Sequence, residues 1–358
     1  MPRRLLANNK IILILLLFPL LWSSCDENKP IINVSCDENN LGNSLLRWEI
    51  MPEIEGTVKI YASNDPQSFD LNSLIAEVPI DRNFKTIIRH SPDFRNYYQL
   101  VFDEHYKVKV ASRSVKIDGI QNFRDLGGYH TKSNKSVRWG LLFRSAAINE
   151  LAPYELDYLK NIGLKSIIDL RIPEEGNVSQ ETATEFTVYH IPIRVGNKYT
   201  CVKALKASGV SASKVKKEVL LMNNDLVLHQ TLEYRQLMHK LLDKSNYPLV
   251  ISSFSGKGRC GFASALILKI LEVHQDVILD DYLLSNVYFD IPSVSNYAYN
   301  LSIENQRAIT YLFSAREEYL DACFKEIIQT YGTFNDYVEN GLQLTKTDVA
   351  KFRDILLE

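Results

Sequence analysis

The sequence lacks the features that most readily assign a protein to a class. It has no internal repeat and no low-complexity segment, and its formal net charge is only −2 over 358 residues, which gives no sign of nucleic-acid binding. Its five cysteines are scattered, with no Cys-x-x-Cys motif and no Cys/His pair at the spacing of metal ligands. We therefore predict no disulfide framework, no metal site and no cofactor, and we interpret Cys260 and Cys323 as small buried residues.

The N-terminal apolar run is too short for a stable membrane span. It covers only Ile11 to Trp22, follows three cationic residues, and is typical of the apolar region of an export signal. Small residues followed by Cys25 resemble the processing site of a bacterial lipoprotein. We predict a signal peptide over residues 1–24 and a lipid anchor at Cys25, which would place the protein in the bacterial cell envelope, in the periplasm or on the outer surface. Residues 25–34 are the predicted tether, and cleavage as an ordinary signal peptide is the alternative.

Residues 35–116 carry short segments rich in β-forming residues, separated by turn residues. Several of them alternate apolar with polar side chains, and this pattern predicts a small all-β sandwich. The strand that bears Trp48 and the Tyr-rich strand near Tyr97 resemble those of a fibronectin type III module. We expect the sandwich to act as a spacer above the membrane. The alternative is a surface adhesion or scaffold protein that acts through this sandwich.

From residue 117 onward the pattern changes to alternating strands and helices. A helix is predicted from Tyr154 to Asn161, and buried strands are predicted over Lys165–Arg171 and Val188–Ile193. This order is typical of an α/β domain with a central, mostly parallel sheet, and we assign residues 117–358 to it. Residues 197–224 are less patterned, and we interpret them as an insertion or a lid.

The most informative stretch lies between a short buried strand and an apolar helix. Leu249–Ile251 is followed by a turn of small polar residues, and Phe262–Leu271 is strongly helical. Such a turn aims backbone N–H groups and the positive end of the helix dipole at one point, where a phosphate binds. The predicted phosphate-binding residues are Ser253, Phe254, Ser255, Gly256, Lys257, Gly258 and Arg259.

This turn resembles the phosphate-binding loop of protein tyrosine phosphatases, in which His-Cys, five residues and an Arg precede a helix. Counting back from Arg259, Ser253 stands at the Cys position and Ser252 at the His position. In the bacterial tyrosine/lipid phosphatase branch, the loop commonly reads Gly-Lys-Asp-Arg-Thr-Gly. Residues 256–261 read Gly-Lys-Gly-Arg-Cys-Gly here, so the Asp and the Thr are also replaced.

Other motifs extend the resemblance over roughly residues 117–358. Asn122–Tyr129 and Trp139–Ser145 resemble the entry signature of the same branch, and Asp280–Asn286 resembles one of its helices. The resemblance implies a tyrosine-phosphatase-like fold and, if the protein is active, metal-independent hydrolysis of a phosphoprotein or phosphoinositide ester.

Charged residues at the ends of the predicted strands are candidates to line the site, because strand ends meet at one edge of a parallel sheet. These candidates are Arg124, Asp125, Arg144, Asp169 and Arg171.

The replaced residues bear directly on catalysis. Phosphatases of this type attack phosphorus with a thiolate, which the loop's positive field makes available at neutral pH. A serine hydroxyl needs a neighbouring base, and the loop offers no His or carboxylate. We therefore predict a pseudophosphatase that binds a phosphorylated ligand. One alternative is weak hydrolysis through Ser253, with Arg259 stabilising the transition state. Another is a structural loop, in which Arg259 pairs with Asp125 or Glu174.

Overall fold

The computed structural model describes residues 29–39, 41–88, 93–196, 211–290, 299 and 301–358. The predicted signal peptide, Cys25 and residues 197–210 of the predicted lid lie outside this range. Within the described residues, no helix is both long enough and apolar enough to cross a membrane.

The N-terminal part consists of two antiparallel sheets. Its strands are β1 (Ile31–Glu38), β2 (Ser44–Met51), β3 (Thr57–Ser63), β4 (Leu74–Pro79), β5 (Phe84–Ile87), β6 (Tyr97–Phe102) and β7 (Tyr106–Ala111). They form a three-stranded sheet of order β1-β2-β5 and a four-stranded sheet of order β4-β3-β6-β7. A short 3₁₀ turn, Ile80–Arg82, lies between β4 and β5.

The two sheets share one apolar core. Trp48 lies at its centre, 1% exposed, and donates from Nε1 to the Ile80 carbonyl at 2.8 Å. The Tyr98 hydroxyl donates to Ser44 Oγ at 2.9 Å and so links the two sheets. The predicted boundary of this part is wrong by a few residues. Because β1 begins at Ile31, the last residues of the predicted tether (25–34) belong to the first strand.

The C-terminal part is built on a five-stranded sheet of order β11-β10-β12-β9-β8. The strands are β8 (Arg124–Asp125), β9 (Leu142–Ser145), β10 (Ser166–Asp169), β11 (Thr187–His190) and β12 (Leu249–Ser252). The pairs among β9 to β12 are parallel, and β8 joins the edge antiparallel to β9. Every residue of β9, β10 and β12 is buried, as in a sheet covered on both faces. The predicted α/β fold with a mostly parallel sheet is confirmed.

Helices cover this sheet. Their bounds are α1 (Pro153–Asn161), α2 (Gln180–Glu185), α3 (Ala212–Leu228), α4 (Thr231–Lys240), α5 (Gly258–Ile270), α6 (Gln275–Leu283), α7 (Ser285–Tyr288), α8 (Ile303–Phe313), α9 (Glu317–Tyr331), α10 (Phe334–Asp336) and α11 (Lys346–Leu356). Short 3₁₀ turns occur at Pro173–Glu175 and Lys244–Asn246, and a π-helical turn at Tyr337–Gly341.

The segment interpreted as an insertion or a lid is helical where the structure describes it. Helix α3 places Val215, Val219 and Met222 on one face at helical spacing. Val215 and Val219 pack with α8 and α9 in a small apolar cluster of their own, apart from the main core. The first part of this helix therefore packs against other helices, whereas Leu226 and Val227 near its end belong to the main core.

The two N-terminal sheets and the α/β part share buried contacts. Arg95, which precedes β6, donates from Nη1 to Asp125 Oδ2 at 2.8 Å, and both side chains are almost fully buried. Trp139, from the α/β part, packs into the core of the two N-terminal sheets and donates to the Lys109 carbonyl at 3.3 Å. Because a buried carboxylate without its partner is costly, Asp125 of the α/β part depends on Arg95 of the N-terminal part.

Candidate functional site

The site is the turn between β12 and α5. Strand β12 ends at Ser252 and α5 begins at Gly258, so residues 253–257 reverse the chain direction. Gly256 adopts φ +63°, and a Cβ atom there would lie 2.5 Å from the carbonyl oxygen of Ser145. The turn can therefore approach β9 this closely only with glycine at position 256.

The turn leaves several backbone donors unpaired. Across the described residues, no backbone or side-chain acceptor is recorded for the N–H groups of Phe254, Ser255, Gly258 and Arg259. The first N–H groups of a helix have no intrahelical acceptor, and together with the helix dipole they attract an anion. The geometry thus provides the donors that a phosphate-binding loop needs.

Buried polar side chains support the turn from beneath, on the side of β8 and β9. Arg144 donates from Nη2 to the Gly256 carbonyl at 2.6 Å, and Asn122 donates from Nδ2 to the Ser255 carbonyl at 3.0 Å. Arg144 also donates from Nη1 to Asp281 Oδ2 at 2.6 Å. Arg124 donates to the side chain of Asn122 and, at 2.9 Å, to the Asp281 carbonyl. These contacts hold two carbonyl groups of the turn in place.

This supporting group carries an excess of positive charge. Arg124 and Arg144 are both fully buried, with Asp281 as the carboxylate between them. The Nε atoms of both arginines are buried without a recorded partner in the described part of the chain. Burial, and then the charge of Arg144, lower the pKa of Arg124 to about 10, so it stays cationic at neutral pH. The potential beneath the turn is therefore positive.

The pKa of Asp281 is lowered despite its burial. Burial raises this pKa, but the guanidinium groups of Arg124 and Arg144 lower it by more, and the Asp281 carboxylate stays charged. Tyr129 donates a further hydrogen bond to Asp281 Oδ1 at 3.0 Å. Asp281 thus connects Tyr129, Arg124 and Arg144 beneath the turn.

Arg259 is bound on the opposite side of the turn, at its mouth. Its Nη1 and Nη2 atoms donate to the two carboxylate oxygens of Glu175 at 2.6 and 2.7 Å. Nη1 also contacts the carbonyl groups of Leu170 and Ile193, at 3.1 and 3.3 Å. No partner for Nε of Arg259 is recorded in the described segments. The guanidinium is therefore paired, and its Nε–H group and one of the two Nη2 hydrogens have no acceptor in the described segments.

The partner of Arg259 differs from both sequence-based candidates, which were wrong. Asp125 pairs with Arg95 and accepts from the N–H groups of Gly127 and Gly140, at 2.7 and 2.8 Å. Glu174 is exposed and contacts Arg194. The 3₁₀ turn at Pro173–Glu175 directs the neighbouring residue, Glu175, toward Arg259 instead.

Ser253 heads the turn and is only 1% exposed. The single side-chain partner recorded for its Oγ within the described ranges is the thiol of Cys260, with a sulfur–oxygen distance of 3.1 Å. The hydroxyl of Ser252 is directed away from the site and donates to the Ala146 carbonyl at 2.9 Å. The geometry therefore gives Ser253 a thiol neighbour, and no carboxylate or imidazole of the described residues is hydrogen-bonded to its Oγ.

A small cavity of about 50 Å³ lies against the turn. Helix α3 and the ends of α8 and α9 cover it, and its apolar wall includes Met222 and Leu312. Lys257 lines it as well, is 5% exposed, and donates to the Leu312 carbonyl at 3.4 Å. Lys257 is therefore not a solvated surface charge, which was one interpretation of the sequence. The residues of the turn that line the cavity are Ser253, Phe254, Ser255, Lys257, Gly258 and Arg259.

The charged strand-end residues do not line this cavity, contrary to the prediction. Asp169 accepts from Arg171, which donates from Nε at 2.9 Å and from Nη2 at 2.8 Å, and both residues are buried at the end of β10. Arg124 and Arg144 lie beneath the turn, whereas Asp125 pairs with Arg95 and does not contact it. Arg144 shapes the site through the Gly256 carbonyl, and Arg124 acts through Asn122 and Asp281, rather than by facing a ligand. No group of His, Cys, Asp or Glu in the described residues is arranged to hold a metal ion.

Three contributors to the site were missed by sequence reasoning: Asn122, Glu175 and Asp281. The sequence did carry a signal for Asp281, because the stretch Asp280–Asn286 was singled out for its resemblance. No local pattern shows that this carboxylate lies between Arg124 and Arg144, which are 157 and 137 residues away along the chain.

The parallel sheet, the glycine-containing turn and the arginine at the start of α5 define a tyrosine-phosphatase-like domain. A comparison with protein families agrees, since the profile of the tyrosine phosphatase family matches residues 115–358. The chain belongs to that family.

Two curated relatives carry phosphatase names. A candidate tyrosine-protein phosphatase of Cupriavidus necator is 28% identical over 242 residues, covering 66% of this chain and 85% of that protein. The triple specificity protein phosphatase PtpB of Mycobacterium tuberculosis is 24% identical over 277 residues, covering 68% of this chain and 98% of that protein. Among solved structures, the catalytic domain of the PP-IP phosphatase SIW14 of S. cerevisiae, in complex with citrate, covers 53% of this chain and 88% of its own at 16% identity, with a TM-score of 0.26.

Proposed function

We propose that this chain binds the phosphate group of a phosphorylated ligand in the loop of residues 253–259 and does not hydrolyse it. The observation that carries the proposal is the combination of a complete anion cradle with Ser253 at its head. The ligand would be a phosphoprotein or a phosphoinositide, as the family resemblance implies.

Retained binding is supported by charge. The turn offers unpaired N–H groups, and the excess cation of the pair Arg124 and Arg144 lies directly beneath it. A buried charge without a partner is costly, so an anion in the cradle offsets part of that cost. Lys257 lines the same cavity and adds a further cation.

Absence of hydrolysis is supported by the surroundings of Ser253. An alkoxide requires a base to accept the hydroxyl proton, and the neighbour of Ser253 Oγ is the protonated thiol of Cys260. Burial raises the pKa of this thiol to about 11, so it is neither a base nor a nucleophile at neutral pH. The first step of thiolate-type phosphoryl transfer therefore lacks its nucleophile.

Turnover of p-nitrophenyl phosphate tests the catalytic half of the proposal. We expect the wild-type protein to show no release of p-nitrophenol above that of the Ser253→Ala variant. Turnover by the wild type that disappears in Ser253→Ala would contradict the proposal and favour weak hydrolysis through Ser253.

Calorimetric titration with inorganic phosphate tests the binding half. Removing Arg259 alone would leave Glu175 as a buried, unpaired carboxylate, so the informative pair is Glu175→Gln and the double variant Arg259→Met with Glu175→Gln. Loss of charge-assisted hydrogen bonds should weaken binding at least about tenfold in the double variant. Equal affinity in the two proteins would show that Arg259 takes no part in anion binding.

Export and the lipid anchor rest on the N-terminal sequence alone. A lipidated Cys25 would hold the protein at a membrane of the bacterial envelope. Incorporation of labelled palmitate into the full chain, absent from a Cys25→Ala variant, is the expected result. Equal labelling of both chains would exclude an anchor at this cysteine.

A further inference from the structure

The side chains of Ser253 and Cys260 contact each other beneath the loop of residues 253–259. Both are buried, and Cys260 Sγ lies 3.1 Å from Ser253 Oγ. Two other acceptors are within reach of the thiol, the carbonyl groups of Ile251 at 3.4 Å and Ser145 at 3.7 Å. Ser253 Oγ is the nearest of the three.

The thiol acts as a donor at neutral pH, because burial raises its pKa to about 11 and keeps it protonated. A hydroxyl group has one proton to donate and two lone pairs with which to accept. When Ser253 Oγ accepts a hydrogen bond from the thiol, the hydrogen atom of the Ser253 hydroxyl is free to turn toward the cavity. Ser253 lines this cavity.

We propose that Cys260 is a positioning residue that orients the Ser253 hydroxyl, so that Ser253 donates a hydrogen bond to an anion held in the cradle. This inference rests on the proposed function. It assigns Ser253 the role of a neutral donor to the ligand. A thiolate at the same position would instead place a second negative charge beside the phosphate and oppose its binding.

A double-mutant cycle with inorganic phosphate tests the proposal. Cys260→Ala should weaken phosphate binding about three- to tenfold, whereas Cys260→Ser, which keeps a donor, should bind within about twofold of the wild type. In a Ser253→Ala background, Cys260→Ala should have no further effect, because the group that it orients is gone.

The cycle separates positioning from a general structural role. An equal loss on Cys260→Ala in both backgrounds, or equal weakening by Cys260→Ser and Cys260→Ala, would overturn the proposal while leaving the proposed function intact. A wild-type protein that does not bind phosphate would overturn both.

Infrared spectroscopy tests the contact without any ligand. The S–H stretching band of Cys260, identified by its loss in Cys260→Ser, should shift in Ser253→Ala because the thiol loses its nearest acceptor. An unchanged band would mean that the thiol donates to a carbonyl group instead, and would overturn the proposal.

Discussion

Two charged clusters hold the loop of residues 253–259, and they are balanced differently. At the mouth, Arg259 is matched by one carboxylate, Glu175, in a pair that is 8% and 13% exposed. At the base, Arg124 and Arg144 share one carboxylate, Asp281, and all three are at most 1% exposed. The mouth is therefore neutral and partly accessible, whereas the base is dry and positive.

The difference separates two tasks that a phosphate loop performs. The base fixes the shape of the turn through the carbonyl groups of Ser255 and Gly256, and supplies a permanent positive potential. The mouth holds an arginine whose charge is already satisfied, so any anion must compete with a carboxylate for it. Electrostatic interactions are stronger in the dry base, and substitutions there should have the larger effects.

The largest effect is expected at the centre of the base. Asp281→Asn removes the carboxylate between two buried guanidinium groups and should lower the free energy of unfolding by about 3–5 kcal/mol. The neighbouring Asp280 is exposed, and Asp280→Asn should change stability by less than about 0.5 kcal/mol. Urea denaturation of both variants measures the contrast. Similar midpoints would mean that the base does not stabilise the fold.

The next largest effect concerns the turn that the base supports. Gly256→Ala would place a Cβ atom 2.5 Å from the Ser145 carbonyl at a positive φ, so the turn must move away from β9. We expect a loss of about 1–3 kcal/mol in stability, together with loss of phosphate binding. Gly258→Ala is the matched control, because a Cβ there meets no atom within 4 Å. Phosphate binding by Gly256→Ala at wild-type affinity would contradict the dependence on this geometry.

These two sites show what local sequence patterns can and cannot predict. The strand, the turn and α5 were predictable because apolar periodicity and the small residues of positions 253–258 act over short distances. The base was not predictable, because Asn122, Arg144 and Asp281 come from distant segments. The order of the strands decides whether these segments come into contact. At the mouth, the prediction missed by one residue, since the 3₁₀ turn decides that Glu175 rather than Glu174 faces Arg259.

A smaller effect, on phosphate affinity, is expected when the carboxylate at the mouth is removed. Glu175→Gln removes the carboxylate that competes with the ligand and leaves Arg259 free to bind it, so the affinity for inorganic phosphate should rise about tenfold, or 1.4 kcal/mol. Glu174→Gln is the control, because Glu174 is exposed and pairs with Arg194 rather than Arg259. Calorimetry on both variants measures the difference. An unchanged affinity in Glu175→Gln would place the anion against the base alone.

The smallest effect is a pH dependence beneath the turn. Burial raises the pKa of Cys260 from 9.0 to about 11, so the folded protein keeps a proton that the unfolded chain releases between these values. The stability that this thiol contributes is complete below pH 9 and is lost as the pH rises toward 11. At pH 9.5 the loss is on the order of 1 kcal/mol. Cys260→Ser has no thiol to titrate at this position. From pH 8 to pH 9.5, the wild type should therefore lose more unfolding free energy than Cys260→Ser does. The other titrating groups are common to both proteins. A difference in unfolding free energy that stays constant with pH would therefore mean that folding does not raise the pKa of Cys260.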